Sequence, residues 1–193
     1  MLDSSSILYC IFNLIIMQTW IVLLRGINVS GKNPIKMAML SQALSEKGLS
    51  NIRTYIQSGN IAFECDETNP EVISGLVSAI ISARFGFEVP AIGILQKDML
   101  EIYEKNPFLS GQDYDPAFMH IAFLHRQPEN EMIEATEKLS FLPDSFSIHK
   151  NVVYVYCPNG YGNTKINNTF FERKLGVMAT TRNRATVEKL CYL

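Results

Sequence analysis

Trp20-Ile21-Val22-Leu23-Leu24-Arg25-Gly26-Ile27-Asn28-Val29-Ser30-Gly31-Lys32-Asn33-Pro34-Ile35-Lys36-Met37 is the stretch from which the fold can be read. Its first five residues are an unbroken apolar run, the pattern of a strand buried on both faces. Asn33-Pro34 reads as a helix start, with Asn as N-cap and Pro at the first helical position. Met37, Leu40, Ala43 and Leu44 then recur at helical spacing, and Gly48 supplies a stop. Strand, glycine-bearing loop and helix therefore follow one another.

Working outward, residues 53–57 and 60–64 alternate at period two around Ser58-Gly59, which predicts a hairpin. Pro70 opens a second helix with Val72, Ile73, Leu76, Val77, Ile80 and Ile81 on one face, and residues 91–95 form a fourth strand. That order is βαββαβ, a ferredoxin-like unit. A helix over 97–104 leads into residues 106–116, where two prolines, a glycine and no periodicity predict a linker. Beyond it the order repeats. Strands are expected over 117–124, 145–149, 152–157 and 177–181. Helices are expected over 130–139 (Met132, Ile133, Thr136 and Leu139 inward), 164–175 (stopped by Gly176) and 183–190. The expected fold is α+β: two ferredoxin-like βαββαβ subdomains, 17–105 and 117–193, with an extra C-terminal helix.

Residues 1–16 are expected to lie outside that fold. The apolar run over 7–16 is about half the length of a membrane span. It also lacks the basic leader and small-residue cleavage site of a signal peptide. An upstream extension is the preferred reading, an uncleaved anchor the alternative. Cys10, Cys65, Cys157 and Cys191 are far apart with no C-x-x-C pair, and His120, His125 and His149 add no ligand spacing. No metal site is expected, and a reducing, cytoplasmic location with no membrane partner follows.

The net charge of −2 conceals an asymmetry. Residues 18–60 hold five basic side chains against one acidic, and residues 160–193 six against two. The centre, 61–159, holds six against fifteen. Two basic ends could converge on one anion, whereas the overall balance argues against a dedicated duplex-DNA binder.

The loop itself resembles a P-loop but misses it by one residue. Asn33 replaces the Ser or Thr whose hydroxyl would hold Mg²⁺, and Pro34 starts the helix after Lys32. What survives is anion binding by backbone N–H groups of Ser30, Gly31 and Lys32, flanked by Arg25 and Lys36. Asn159-Gly160-Tyr161-Gly162-Asn163-Thr164-Lys165 is a second glycine-bearing turn, with Thr164 as the expected cap. Thr180-Thr181-Arg182-Asn183 is a third strand-to-helix turn. The site predicted from these turns takes charge from Arg25, Lys32, Lys165 and Arg182. Asn28, Asn60 and Asn183 orient the ligand, and Ser30 and Gly31 contribute backbone donors. Ser58 has no neighbouring base and reads as hairpin chemistry, and His120 reads as structural.

Leu24-Arg25-Gly26-Ile27-Asn28-Val29-Ser30-Gly31-Lys32-Asn33, Tyr55-Ile56-Gln57-Ser58-Gly59-Asn60, Asn163-Thr164-Lys165 and Thr180-Thr181-Arg182-Asn183 together resemble the bacterial family catalogued as domain of unknown function 1697 (DUF1697). The resemblance runs over roughly residues 17–193 and implies the paired ferredoxin-like architecture. It implies no activity, catalytic residue or cofactor. Arg184 stands where the family usually carries Trp, and Asn163 where Ser is common. The function expected is binding of a phosphorylated or carboxylated ligand, such as a nucleotide or nucleic acid. The alternatives are a phosphoryl- or acyl-group transferase or hydrolase using the same loops, and an oligomerisation module; the oligomeric state is left open.

Overall fold

Strand β1 (Gln18–Leu24) lies inside a four-stranded antiparallel sheet of order β2-β3-β1-β4, with β2 Ser50–Tyr55, β3 Asn60–Cys65 and β4 Ala91–Leu95. The computed structural model describes residues 17–29, 33–110 and 114–193. The extension 1–16 thus lies outside the described residues. Helices α1 (Met37–Ser45) and α2 (Pro70–Phe85) make the two crossovers, and α3 (Gln96–Glu104) follows β4. The second half repeats the arrangement. Strands β5 (Met119–Leu124), β6 (Ser145–His149), β7 (Val152–Tyr156) and β8 (Ala179–Asn183) form a sheet of order β6-β7-β5-β8. Helices α4 (Asn130–Glu137) and α5 (Asn168–Leu175) cross over, and α6 (Arg184–Cys191) closes the chain. Both halves are ferredoxin-like, and each carries a trailing helix.

Each sheet is buried on both faces. On β1, Trp20, Val22 and Leu24 face α1 and α2, whereas Ile21 and Leu23 face the middle of the molecule. On β7, Val152, Tyr154 and Tyr156 point to the same middle layer, and Val153 and Val155, with Cys157 just past the strand, point to α4 and α5. The period-two alternation of strand side chains divides each strand between two cores. Helices α3 and α6 pack on each other and on the inner faces of the two sheets. The Tyr154 hydroxyl donates across the junction to the Ile102 carbonyl at 3.0 Å. The segment expected as a linker enters this layer too: Phe108 is buried with Tyr156, and its N–H is capped by the Asn106 side chain at 3.0 Å.

Several expected boundaries move. Helix α1 begins at Met37, not at Asn33-Pro34. Asn33 adopts φ 46°, and the Asn28 side chain accepts the Ile35 N–H at 2.9 Å and donates to the Ile35 carbonyl at 3.0 Å. Those bonds hold Ile35 out of the helix. Helix α5 begins at Asn168 with Asn167 as its cap, not at Thr164. Thr164 is tied to Asp144 at 2.5 Å, and residues 161–163 form a separate 3₁₀ turn. Strand β8 runs two residues later than expected, through Arg182 to Asn183. Val72 and Met132 are exposed, not inward, because they flank the buried stripes, and Leu139 is exposed because α4 stops at Glu137, short of the expected 130–139. Gly59 is fixed by two constraints: φ 79°, and a Cβ there would lie 2.6 Å from Leu24 Cβ.

Because the two halves share the middle core, unfolding is expected to be one cooperative event. The single Trp, Trp20, lies in the first half, so its fluorescence and the far-UV circular dichroism of the whole chain should give one urea midpoint. Two separated transitions would contradict the shared core.

Candidate functional site

Arg182 on β8 reaches out of its own subdomain into the other. Its Nε donates to Asn60 Oδ1 at 2.6 Å, and Nη2 to the carbonyls of Leu24 at 2.8 Å, Ser58 at 3.2 Å and Gly59 at 3.4 Å. Nη1 donates to Thr180 Oγ1 and the Thr181 carbonyl, each at 2.9 Å. All five donors are engaged. Every acceptor is neutral, and among the described residues Arg182 forms no ion pair. Desolvation pulls the guanidinium down to about 10, so it still carries its charge at neutral pH. Asn60, fully buried, is held by its amide bonds to the Tyr55 carbonyl and Ser58 Oγ, both 3.1 Å.

A second bridge lies alongside. Arg25 grips Glu172 of α5, with Nη2 to Oε2 at 2.8 Å and Nη1 on Oε1. Glu172 Oε1 also accepts the Ala179 N–H at 2.9 Å. Arg25 therefore has its charge balanced, whereas Arg182 has no carboxylate partner among the described residues.

The two bridges frame a cavity of about 460 Å³ between the Arg25 loop and the β8–α6 turn. Gly26, Val29, Ile56, Ser58, Asn168, Thr181, Arg182, Asn183 and Thr186 reach it, with no carboxylate among its described lining residues. Asn183 caps α6, taking the Thr186 N–H at 2.8 Å. Asn168, the first residue of α5, is set by a relay. The Tyr161 hydroxyl donates to Thr181 Oγ1 at 2.9 Å, and Thr181 donates to Asn168 Oδ1 at 2.6 Å. With its oxygen occupied, Asn168 has its amide N–H₂ left as a donor. His120 stacks on Tyr161 with centroids 4.6 Å apart, its Nδ1 3.2 Å from the Phe118 carbonyl. Burial lowers its pKa from 6.5 despite that carbonyl. Ile56, half exposed at the cavity lip, holds φ 50°, a conformation costing a β-branched residue roughly 1–2 kcal/mol.

Of the residues expected to form the site, Arg25, Arg182 and Asn183 line this one cavity. Asn60 and Asn28 lie behind it: Asn60 holds Arg182, and Asn28 holds the loop to Ile35 and to the Gln57 carbonyl at 2.7 Å. Lys165 is elsewhere, lining a different cavity with Asp144, Asn159 and Asn163, because residues 164–167 are not helical and α5 starts only at Asn168. Ser30, Gly31 and Lys32 lie outside the described residues. Sequence reasoning missed Asn168 and Glu172. The tandem Asn167-Asn168 was a signal, since one cap needs only one Asn; Glu172 sits 147 residues from Arg25 and gave none.

The family described as protein of unknown function (DUF1697) matches residues 17–154. The chain belongs to the DUF1697 family. Among solved structures it is similar to the conserved bacterial protein SP0830 from Streptococcus pneumoniae. The identity is 25% and the TM-score 0.67, over 91% of this chain and 98% of that one. No curated protein matches the chain. Among the described residues of this DUF1697 protein, no cluster of His, Cys, Asp and Glu could hold a metal, and no helix is long and apolar enough to cross a membrane.

Two measurements follow. Arg182→Lys cannot reach the spread acceptors, and leaving Asn60 and the β1 carbonyl unpaired should cost about 2–4 kcal/mol in urea unfolding. His120 has a folded pKa below its unfolded 6.5, so the unfolded chain takes up more protons. Stability is then full above pH 6.5 and falls below it, at up to about 1.4 kcal/mol per pH unit. His120→Phe should flatten that acid slope, read from urea midpoints at pH 7.5 and 5.5.

Proposed function

We propose that this protein binds a small phosphorylated or carboxylated anion in the cavity between the Arg25 loop and the β8–α6 turn. One observation carries the reading: Arg182 is a desolvated cation whose partners are all neutral, at the wall of a cavity with no described carboxylate. Neutral dipoles satisfy its donors without cancelling its field. At about 5 Å, with an effective dielectric near 20, that field is worth about 3 kcal/mol to a bound anion. The N-terminus of α6 at Asn183 and the free amide of Asn168 add donors on the same side. The three described cysteines are free and buried, in keeping with a cytoplasmic setting.

Binding is preferred over turnover. The cavity hydroxyls of Ser58, Thr180 and Thr181 bond to Asn60, Arg182, Tyr161 and Asn168, and none has a base as partner. A small ligand is preferred over nucleic acid because the site is concave and the chain as a whole is acidic.

The test is calorimetric titration and thermal melting with inorganic phosphate, citrate, adenosine monophosphate and a short oligothymidylate. A ligand at a hundred times its Kd should raise the melting midpoint by roughly 5–10 °C. Val29→Glu, at an exposed lip position, should weaken the anion about tenfold while leaving the midpoint of the free protein unchanged. Silence from every anion in a folded sample would refute the proposal; binding by the oligonucleotide alone would replace the small ligand with a single strand.

A further inference from the structure

The hairpin motif Tyr55-Ile56-Gln57-Ser58-Gly59-Asn60 contains a residue that its local geometry does not explain. Among the described residues, five that are not glycine have positive φ: Asn28, Asn33, Asn51, Ile56 and Lys150. Asn tolerates that region because its short polar side chain bonds locally, and Lys is unbranched at Cβ. Ile56 is the β-branched one, and the residue is 51% exposed, so burial in the core does not compensate the strain. Val29, 58% exposed, stands at the same cavity. The cavity is thus lined by two kinds of group: the polar Thr181, Arg182, Asn183 and Asn168, and the exposed apolar Ile56 and Val29. Its volume of about 460 Å³ falls within the range of small-molecule sites.

We infer that the ligand is an organic phosphate or carboxylate bearing an aryl- or nucleobase-sized group, which lies on Ile56 and Val29 while the charged end faces Arg182. This rests on the anion-binding reading above. A bare oxyanion would leave both apolar side chains in water; a flat apolar group would cover them, and the strained backbone at Ile56 is what aims its branch at that group.

The experiment compares inorganic phosphate, phenyl phosphate and adenosine monophosphate by calorimetric titration of the full chain. Both organic phosphates should bind at least about tenfold more tightly than phosphate, a difference of about 1.4 kcal/mol. Ile56→Asn, which suits positive φ, should fold normally, keep the phosphate affinity and erase most of the organic advantage. Val29→Ser provides the same reading at a position of ordinary backbone. Equal affinity for phosphate and phenyl phosphate, or parallel loss of both in either variant, would overturn this inference and leave the anion site standing. Absence of binding by all three would overturn both.

Discussion

Besides the shared core, two guanidinium groups bridge the halves, and that of Arg182 has all five donors engaged. Arg182 leaves one sheet and closes bonds on β1, on the β2–β3 hairpin and on the buried Asn60 of the other. Such a contact demands geometry on both sides. The carbonyls of Leu24, Ser58 and Gly59 must converge, which requires the hairpin to turn tightly, which in turn requires Gly59 at positive φ against Leu24. A fork of five fixed donors fits this arrangement, and a flexible ammonium does not. The cost of desolvating the cation is offset by neutral acceptors, so the charge is held with no counter-ion among the described residues. The tie between the halves and the cation at the cavity wall are therefore the same group.

The surrounding polar groups follow a similar logic. Asn60, Asn28 and Asn33 hold the fold: Asn60 takes the Arg182 Nε–H, Asn33 donates to the Gly26 carbonyl at 3.1 Å, and Asn28 receives the Ile35 N–H. The groups with capacity to spare are Asn168, whose acceptor is taken by Thr181, and the start of α6. Tyr161 and His120, stacked behind Thr181, fix the relay from the core side. The polar lining of the cavity is thus hydrogen-bonded into the fold, while Ile56 and Val29 are exposed.

Much of the fold was legible from residues alone. The uninterrupted run over Trp20 to Leu24 read as a buried strand, and the spacing of Ile73, Val77, Ile80 and Ile81 as a helix stripe; both are buried. The duplication followed from element order. Helix starts were less legible, because they were decided by side chains outside the local window. Asn28 reaches seven residues forward to stop α1 beginning at Pro34, and Asp144 reaches across to hold Thr164 in extended chain. Of the site, the residue types and two of the three turns were legible. What was not legible was whether each cation would be free, paired or neutrally held. Arg25 meets Glu172 and Arg182 meets Asn60 over separations of 147 and 122 residues, distances at which sequence patterning carries no information.

The helical layer between the sheets bears on how the duplication can be taken apart. Each half builds a complete antiparallel sheet, yet the inner face of that sheet, with Ile21, Leu23, Ile92 and Ile94 on one side and Ile121, Phe123 and Tyr154 on the other, is sealed only when α3 and α6 meet. A chain cleaved in the 106–116 segment would yield two fragments, each presenting a bare greasy slab to water. Such fragments would be sticky alone and complementary when mixed, which makes this molecule a natural scaffold for reassembly from two separately made pieces.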